Sequence, residues 1–277
     1  MTAESTVELR ASQPTANDEA RPAPVRGRGR WALVLGLQLL VFVVAVGGWS
    51  LAVSREWLDE FYVSSPGLVW DALVEYFRSG DVWTHGWVTL RSTLLGFAIG
   101  SALGVLVGMV FARVPLLDQV FSPYLRAFNA MPRVALAPLF ILWFGIGSAS
   151  KVWFAVSLVF FIVLINTEAG IKSVDRELTT TARSMGATSQ QVFTKIVLPG
   201  SVPTIFAGLR LGLVYSLLGV VFGEMLAASA GLGQQITSYA GRFQMSGVLA
   251  TLVILAAISL LLNAFLALVE RRLLRWQ

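Results

Sequence analysis

The residues from Trp31 to Val53 carry no charge, and neither do those from Phe243 to Val269. Wound as a helix at about 1.5 Å of rise per residue, either run outspans the hydrocarbon core of a bilayer, about 30 Å. Charged residues make up 13% of the 277-residue chain and hydrophobic residues 56%. A soluble domain carries about 25% charged residues, so the polar supply is too small to cover a globule of this size. A soluble enzyme, a disordered protein and a disulfide scaffold therefore fit poorly. The chain has no Cys, hence no disulfide, thiolate metal site or Cys nucleophile. The net charge of +5 does not indicate nucleic acid, because the cations stand at the edges of the apolar runs, as in an integral membrane protein.

Six spans are expected, at about 31–53, 87–112, 121–146, 151–168, 203–228 and 247–269. Residues 1–30 hold five Arg and three Pro with few large apolar side chains, so a disordered basic tail is predicted there, followed by a transmembrane domain over 31–277. A secretory leader is the competing reading, but the following apolar run is too long for one. Between the first two spans, Ser65-Pro66 reads as a helix entry. Val69, Leu73 and Phe77 lie at helical spacing, which predicts an amphipathic helix on the membrane surface.

In the second span Gly96, Gly100, Gly104 and Gly108 fall four apart. This bare stripe lets another backbone approach closely, and packing within the chain is its commoner use than a dimer contact. Lys and Arg gather in the tail, after the second span, in the polar stretch 170–200 and at the C-terminus. The opposite loops hold Arg55, Arg78, Arg91, Lys151 and Arg242. The richer side is expected to be cytoplasmic, with both termini on it.

The stretch 175–200 carries the most information. A short helix is expected up to Met185, broken by Gly186. Thr188-Ser-Gln-Gln191 fits a capping box for a second helix with Val192, Phe193, Ile196 and Val197 on one face. Pro199 and Pro203 are expected to stop that helix. A helix–turn–helix of this kind suits a groove on a partner protein.

Here the sequence resembles the permease subunits of bacterial ABC importers. Their signature is Glu-Ala-Ala, three residues, Gly, nine residues, Ile, one residue, Leu-Pro. This chain reads Thr180-Thr181-Ala182, three residues, Gly186, nine residues, Ile196, Val197, Leu198-Pro199. The spacing agrees throughout, and Thr180 and Thr181 replace the usual Glu-Ala. Met131-Pro132-Arg133, the run 138–147, Asn166-Thr167, Gly208-Leu-Arg210 and Glu224 with Gly231-Leu-Gly233 are similar to the nitrate/sulfonate/taurine branch.

The resemblance implies an all-α membrane protein of six transmembrane helices with a cytoplasmic helix-turn-helix coupling element, in a bacterial plasma (inner) membrane. It implies a path for a small, anionic solute worked by alternating access. The implied partners are a second permease copy, separate ABC ATPase subunits that bind ATP and Mg, an external solute-binding protein and the lipid bilayer; no nucleic acid is implied. The chain has no G-x-x-x-x-G-K-[ST] run, so its motor must come in trans. A stand-alone channel or ion-coupled secondary carrier is the alternative, and such folds place ionisable groups at mid-membrane.

Translocation-path candidates are Arg133, Asn166, Glu224 and Asn263. Glu224 lies inside the fifth span, where a carboxylate by default faces a cavity or a partner; lining the path and bonding to loop amides near the outer interface are equally weighted. Arg126 and Arg133 share a helix face. Snorkelling to the cytoplasmic headgroups is their commoner use, attracting an anion the sharper one. Asn166 and Asn263 bridge helices or touch solute. His85, the chain's one His, sits between Trp83 and Trp87 as in an interfacial aromatic belt. No catalytic set and no metal site is expected.

Overall fold

The computed structural model describes residues 28–274, and the basic tail expected over 1–30 lies almost wholly outside them. All regular structure among the described residues is helical. The elements are α1 (Arg28–Ser54), α2 (Glu60–Val63), α3 (Pro66–Arg78), α4 (Asp81–Arg113), α5 (Pro115–Ala130), α6 (Ala137–Phe144), α7 (Ser148–Lys172), α8 (Arg176–Ser184), α9 (Ser189–Val192), α10 (Leu198–Leu226), α11 (Leu232–Gly241) and α12 (Met245–Leu273).

α1 belongs to a unit of its own, Met1–Leu51. It is apolar all round, with Leu33, Leu37, Leu40 and Val44 exposed, as a helix solvated by lipid tails must be. In the second unit, Ala52–Gln277, α7 is the central rod. The expected glycine stripe of α4 lies against it. A Cβ on Gly96 would meet Ala155 at 2.7 Å, one on Gly100 would meet Val159 at 2.8 Å, and Gly104 and Gly108 face Phe160 to Thr167 at 2.8–2.9 Å. The stripe thus packs within the chain. A second stripe, unforeseen in the sequence, comes from α10, where Gly208, Gly212, Gly219 and Gly223 face Asn166, Val163, Leu158 and Lys151. Both neighbours approach α7 to backbone distance, which is how helices gain contact in lipid.

The third expected span is a broken one. α5 and the segment Arg133–Phe144 meet at 84°. The cause is Met131-Pro132. Pro132 has no N–H to continue α5, and the residue before a proline is driven extended, here to φ −69 and ψ 139 at Met131. The pair nonetheless runs from one end of the unit to the other. Asp118 in α5 pairs with Lys172 at the end of α7, while α7 begins beside α10's far end, where Gly223 faces Lys151.

The same contacts sort the ends. Arg113 of α4 stacks on Phe193 at 3.5 Å, Lys172 pairs with Asp118 and Glu168 at 2.5 Å each, and Arg210 of α10 pairs with Glu270 of α12. The closing ends of α4, α7 and α12, the start of α10 and the α8–α9 region therefore share one basic end. At the opposite end α11 lies over the other tips.

Two expectations are corrected. α3 does not merely lie on a surface: its Val69 and Tyr76 are 7% and 4% exposed, and Tyr76 packs with Leu232, Ile236 and Ile254 of α11 and α12. Burial pushes the phenols of Tyr76 and Tyr239 up. Nor do Pro199 and Pro203 stop the helix after α9. A widened turn over Phe193–Val197, closed by the Leu198 N–H on Phe193 O, leads into α10 with Pro199 in its first turn and Pro203 inside it. The extra residue in the wide turn gives the proline rings room and absorbs a missing N–H.

Candidate functional site

α8 starts on Asp175, whose carboxylate accepts from Glu177 N at 2.8 Å. It ends on Gly186, at φ +87. The Gly186 N–H donates to Arg183 O and the Ala187 N–H to Ala182 O, both at 3.0 Å. This is a Schellman close, and its left-handed position favours glycine. Thr188 and Gln191 then cap α9 reciprocally, at 2.8 and 3.3 Å. Signature positions Ala182 and Gly186 are thus the two that shape the turn.

Ile196, Leu198 and Pro199 are half-buried and seat the element on the bundle, whereas Thr180, Thr181 and Gly186 are exposed. Thr180 Oγ1 donates to Arg176 O at 2.8 Å. Leu178 on α8 and Met185 just after it stand 57% and 83% exposed, apolar side chains that nothing among the described residues covers. Beside them a cavity of about 860 Å³ carries Arg113, Arg176 and Arg183 on its wall.

A second cavity, about 450 Å³, lies between the bent segment, α7 and α10. Of the four path candidates only Arg133 lines it. Its Nη2 donates to Asn129 Oδ1, its Nη1 to Leu158 O at 3.4 Å, and its guanidinium lies 4.5 Å from the Phe161 ring centre. Leu158 stands about 15 Å from one end of α7 and about 21 Å from the other at 1.5 Å per residue. The guanidinium is therefore held at mid-span rather than snorkelling to headgroups.

Asn166 donates to Ile162 O at 2.8 Å and packs on Gly208, and Asn263 donates to Ser259 O at 2.9 Å. Both satisfy a carbonyl of their own helix one turn back, and neither meets the cavity.

Glu224 is 1% exposed at the end of α10, away from both cavities. Thr89 Oγ1 donates to it at 2.8 Å and the Gly233 N–H at 3.0 Å, while Leu232 N donates to Thr89 Oγ1 at 2.8 Å. Lys151, 5% exposed, lies within electrostatic reach. The carboxylate thus caps the first turn of α11, where free N–H groups favour a negative charge. His85 is its neighbour. Gly231 N donates to His85 Nδ1 at 3.1 Å, and the other ring nitrogen, Nε2, lies 2.7 Å from the Gln235 side-chain amide nitrogen. The sequence pointed to Glu224 and placed His85 in a belt, but did not find Thr89 or Lys151. A threonine in an apolar span carries no signal of its own until its partner, 135 residues away, is known.

A family model described as the binding-protein-dependent transport system inner membrane component matches residues 100–275. A putative aliphatic sulfonates transport permease protein of Bacillus subtilis is 32% identical, over 98% of this chain and 97% of its own length. The riboflavin transport system permease protein of Chloroflexus aurantiacus is 36% identical over 88% and 90%. The taurine transport system permease protein of Escherichia coli is 30% identical over 91% and 94%. Among solved structures, a chain of an inward-facing methionine ABC transporter aligns with TM-score 0.56 at 22% identity, over 76% of this chain and 99% of that one.

Proposed function

The chain belongs to the binding-protein-dependent transport system inner membrane component family, and from that premise we propose that it works as one of two identical permease subunits of an importer for a small organic anion. ATP hydrolysis falls to separate ATPase subunits that grip α8, Gly186 and α9. An external binding protein delivers the solute to the end where α11 lies. The basic end faces the cytoplasm, which agrees with the placement of its Arg and Lys.

The observation that carries this reading is the exposed close of α8. Leu178 and Met185 are bare, Gly186 holds a left-handed turn, and a Cβ there would meet nothing within 4 Å. A tight turn with apolar side chains aimed away from its own bundle is suited to a partner's groove. The ATPase face that meets it is expected to be acidic opposite Arg113, Arg176 and Arg183. ATP binding that draws two such elements together would turn α9 and α10 as one rod, since the wide turn joins them without a break.

The test is Gly186→Val with Met185→Glu as a second variant, each co-purified with the ATPase encoded nearest to this chain and assayed for ATP-driven uptake. Loss of docking with unchanged helicity and solubility is expected. Undiminished docking and uptake in both variants overturns the coupling role. Uptake by the chain alone, driven by an ion gradient, would instead mark it as a self-contained carrier.

A further inference from the structure

Where α3 and the start of α4 meet α11 and α12, a smaller cavity of about 270 Å³ lies at the end of the bundle that α11 covers. Glu75 and Asp81 line it together with Tyr76 and Tyr239, and every other residue on its wall is uncharged. The local sequence brings both acids to one corner. α3 closes on Ser79, whose Oγ donates to Tyr76 O at 3.2 Å and accepts from Asp81 N at 3.3 Å, and Gly80, at φ +81, turns the chain into α4. Glu75 stands in the last turn of α3, where free carbonyls disfavour a negative charge, so helix stability does not account for it. Tyr76 is 4% exposed, and its hydroxyl is buried without a hydrogen-bond partner, although a buried hydroxyl ordinarily has one. Asp81 lies within electrostatic reach of both phenols. The Tyr239 ring stands 6.2 Å from that of Tyr76, and a Cβ on Gly247 would meet it at 2.6 Å, so a glycine of α12 makes the room for it.

We propose that this cavity anchors a single Lys or Arg side chain of the external solute-binding protein when that protein docks. Two carboxylates and an orphaned hydroxyl can all accept hydrogen bonds from one cation, and the two rings offer apolar surface to its alkyl stem. No cation of this chain takes the place: among the described residues Glu75 and Asp81 form no ion pair, and Arg242 acts on Tyr239 electrostatically without lining the cavity. At about 270 Å³ the space falls below the range of about 300–1,000 Å³ that small-molecule sites fill, so it suits one side chain. A bare metal ion fits less well, since Ca²⁺ takes about 6–8 oxygen ligands and no cluster of three or more His, Asp or Glu suited to a metal stands among the described residues. An anionic solute is repelled by the same carboxylates. The anchor deepens the importer reading, and rests on it for which end faces outward and for the presence of a docking protein.

The test uses the full chain assembled with its ATPase in nanodiscs and titrates in the purified binding protein encoded nearest to this chain. Docking is read by interferometry and by stimulation of ATP hydrolysis. Wild-type docking is expected to weaken as NaCl rises from about 50 to about 300 mM. Glu75→Gln combined with Asp81→Asn should raise the Kd at least about tenfold and remove most of that salt dependence. The same variant should need more binding protein for half-maximal stimulation while keeping the maximal rate. Tyr76→Phe, which keeps the ring and loses the hydroxyl, should weaken docking about threefold. Asp71→Asn removes an exposed acid of α3 that does not line the cavity, and should change the Kd by less than about twofold. Wild-type affinity in the monodisperse double variant overturns the proposal. An equal loss in Asp71→Asn does the same, because it would assign the effect to the charge of the whole end. Saturable Ca²⁺ binding by the permease without the binding protein, lost in the double variant, would give the cavity to a metal ion and also overturn it. If the wild type neither docks the binding protein nor responds to it, the importer reading falls together with this one; if ATP-driven uptake runs and the double variant docks as wild type, only the present inference falls.

Discussion

Glu224 and Arg133 are both ionisable, both set in a span, and differently answered. A charge at the centre of a membrane helix costs about 2.5–3.5 kcal/mol on insertion scales. Glu224 stands at the end of α10 rather than at its centre, and its charge is met by Thr89 Oγ1, Gly233 N and the nearby Lys151. Thr89 is the hinge of the set, since its hydroxyl donates to the carboxylate and accepts from Leu232 N. Thr89→Val keeps the shape and removes both bonds, so it should destabilise the chain by about 2–3 kcal/mol, read as the midpoint of thermal unfolding in detergent, with Thr89→Ser close to wild type. Combined with Glu224→Gln the loss should be less than additive, because the two side chains serve one another. Gly231→Ala should cost at least about 2 kcal/mol in the same assay. Its φ is +121 and a Cβ there would stand 2.2 Å from the Glu224 carboxyl carbon. If Thr89→Val melts with the wild type, the cap on α11 is not held through this hydroxyl.

At the scale of elements, the structure turns on how closely α4 and α10 approach α7. A side chain at Gly104 would meet Phe160 O at 2.8 Å, whereas one at Gly36 in α1 meets nothing within 4 Å. Gly104→Leu should therefore destabilise by about 1–3 kcal/mol or more, and Gly36→Leu should leave the unfolding midpoint within about 0.5 kcal/mol of wild type. Equal effects would mean the α4–α7 contact is not close-packed. The first stripe was legible in the sequence because Gly96 to Gly108 repeat every four residues. The second was not, because Gly212 and Gly219 are seven apart and the repeat is interrupted. The close of α8 at Gly186 and the Thr188 box could be read for a different reason: caps are made from neighbours in the chain. The proline stop failed because it assumed four-residue hydrogen bonding right up to Pro199. The turn over Phe193–Val197 is wider, and no side chain announces that. The cavity beside Arg133 also stayed hidden, since its walls come from three separate segments that only the fold brings together.

For the whole molecule, the arrangement of charge constrains how the chain sits in a membrane. Within the second unit α4, the bent pair, α7, α10 and α12 each run between the two ends, since Asp118 meets Lys172, Arg210 meets Glu270 and Gly223 meets Lys151. An odd number of passes leaves α3 and the C-terminal end of α12 on opposite sides. The end that carries Arg113, Arg176, Arg183, Lys195 and Arg271 should be the one that stays inside, because translocating clustered cations is disfavoured. The chain has no Cys, so single replacements report without background. Ser184→Cys in α8 should react with a membrane-impermeant maleimide only after the cells are opened, and Arg78→Cys at the end of α3 should react from outside. Both positions are exposed, so failure to label cannot be put down to burial. Labelling of Ser184→Cys in intact cells would invert the molecule, place α8 and Gly186 out of reach of any cytoplasmic ATPase, and remove the coupling role together with the direction of transport.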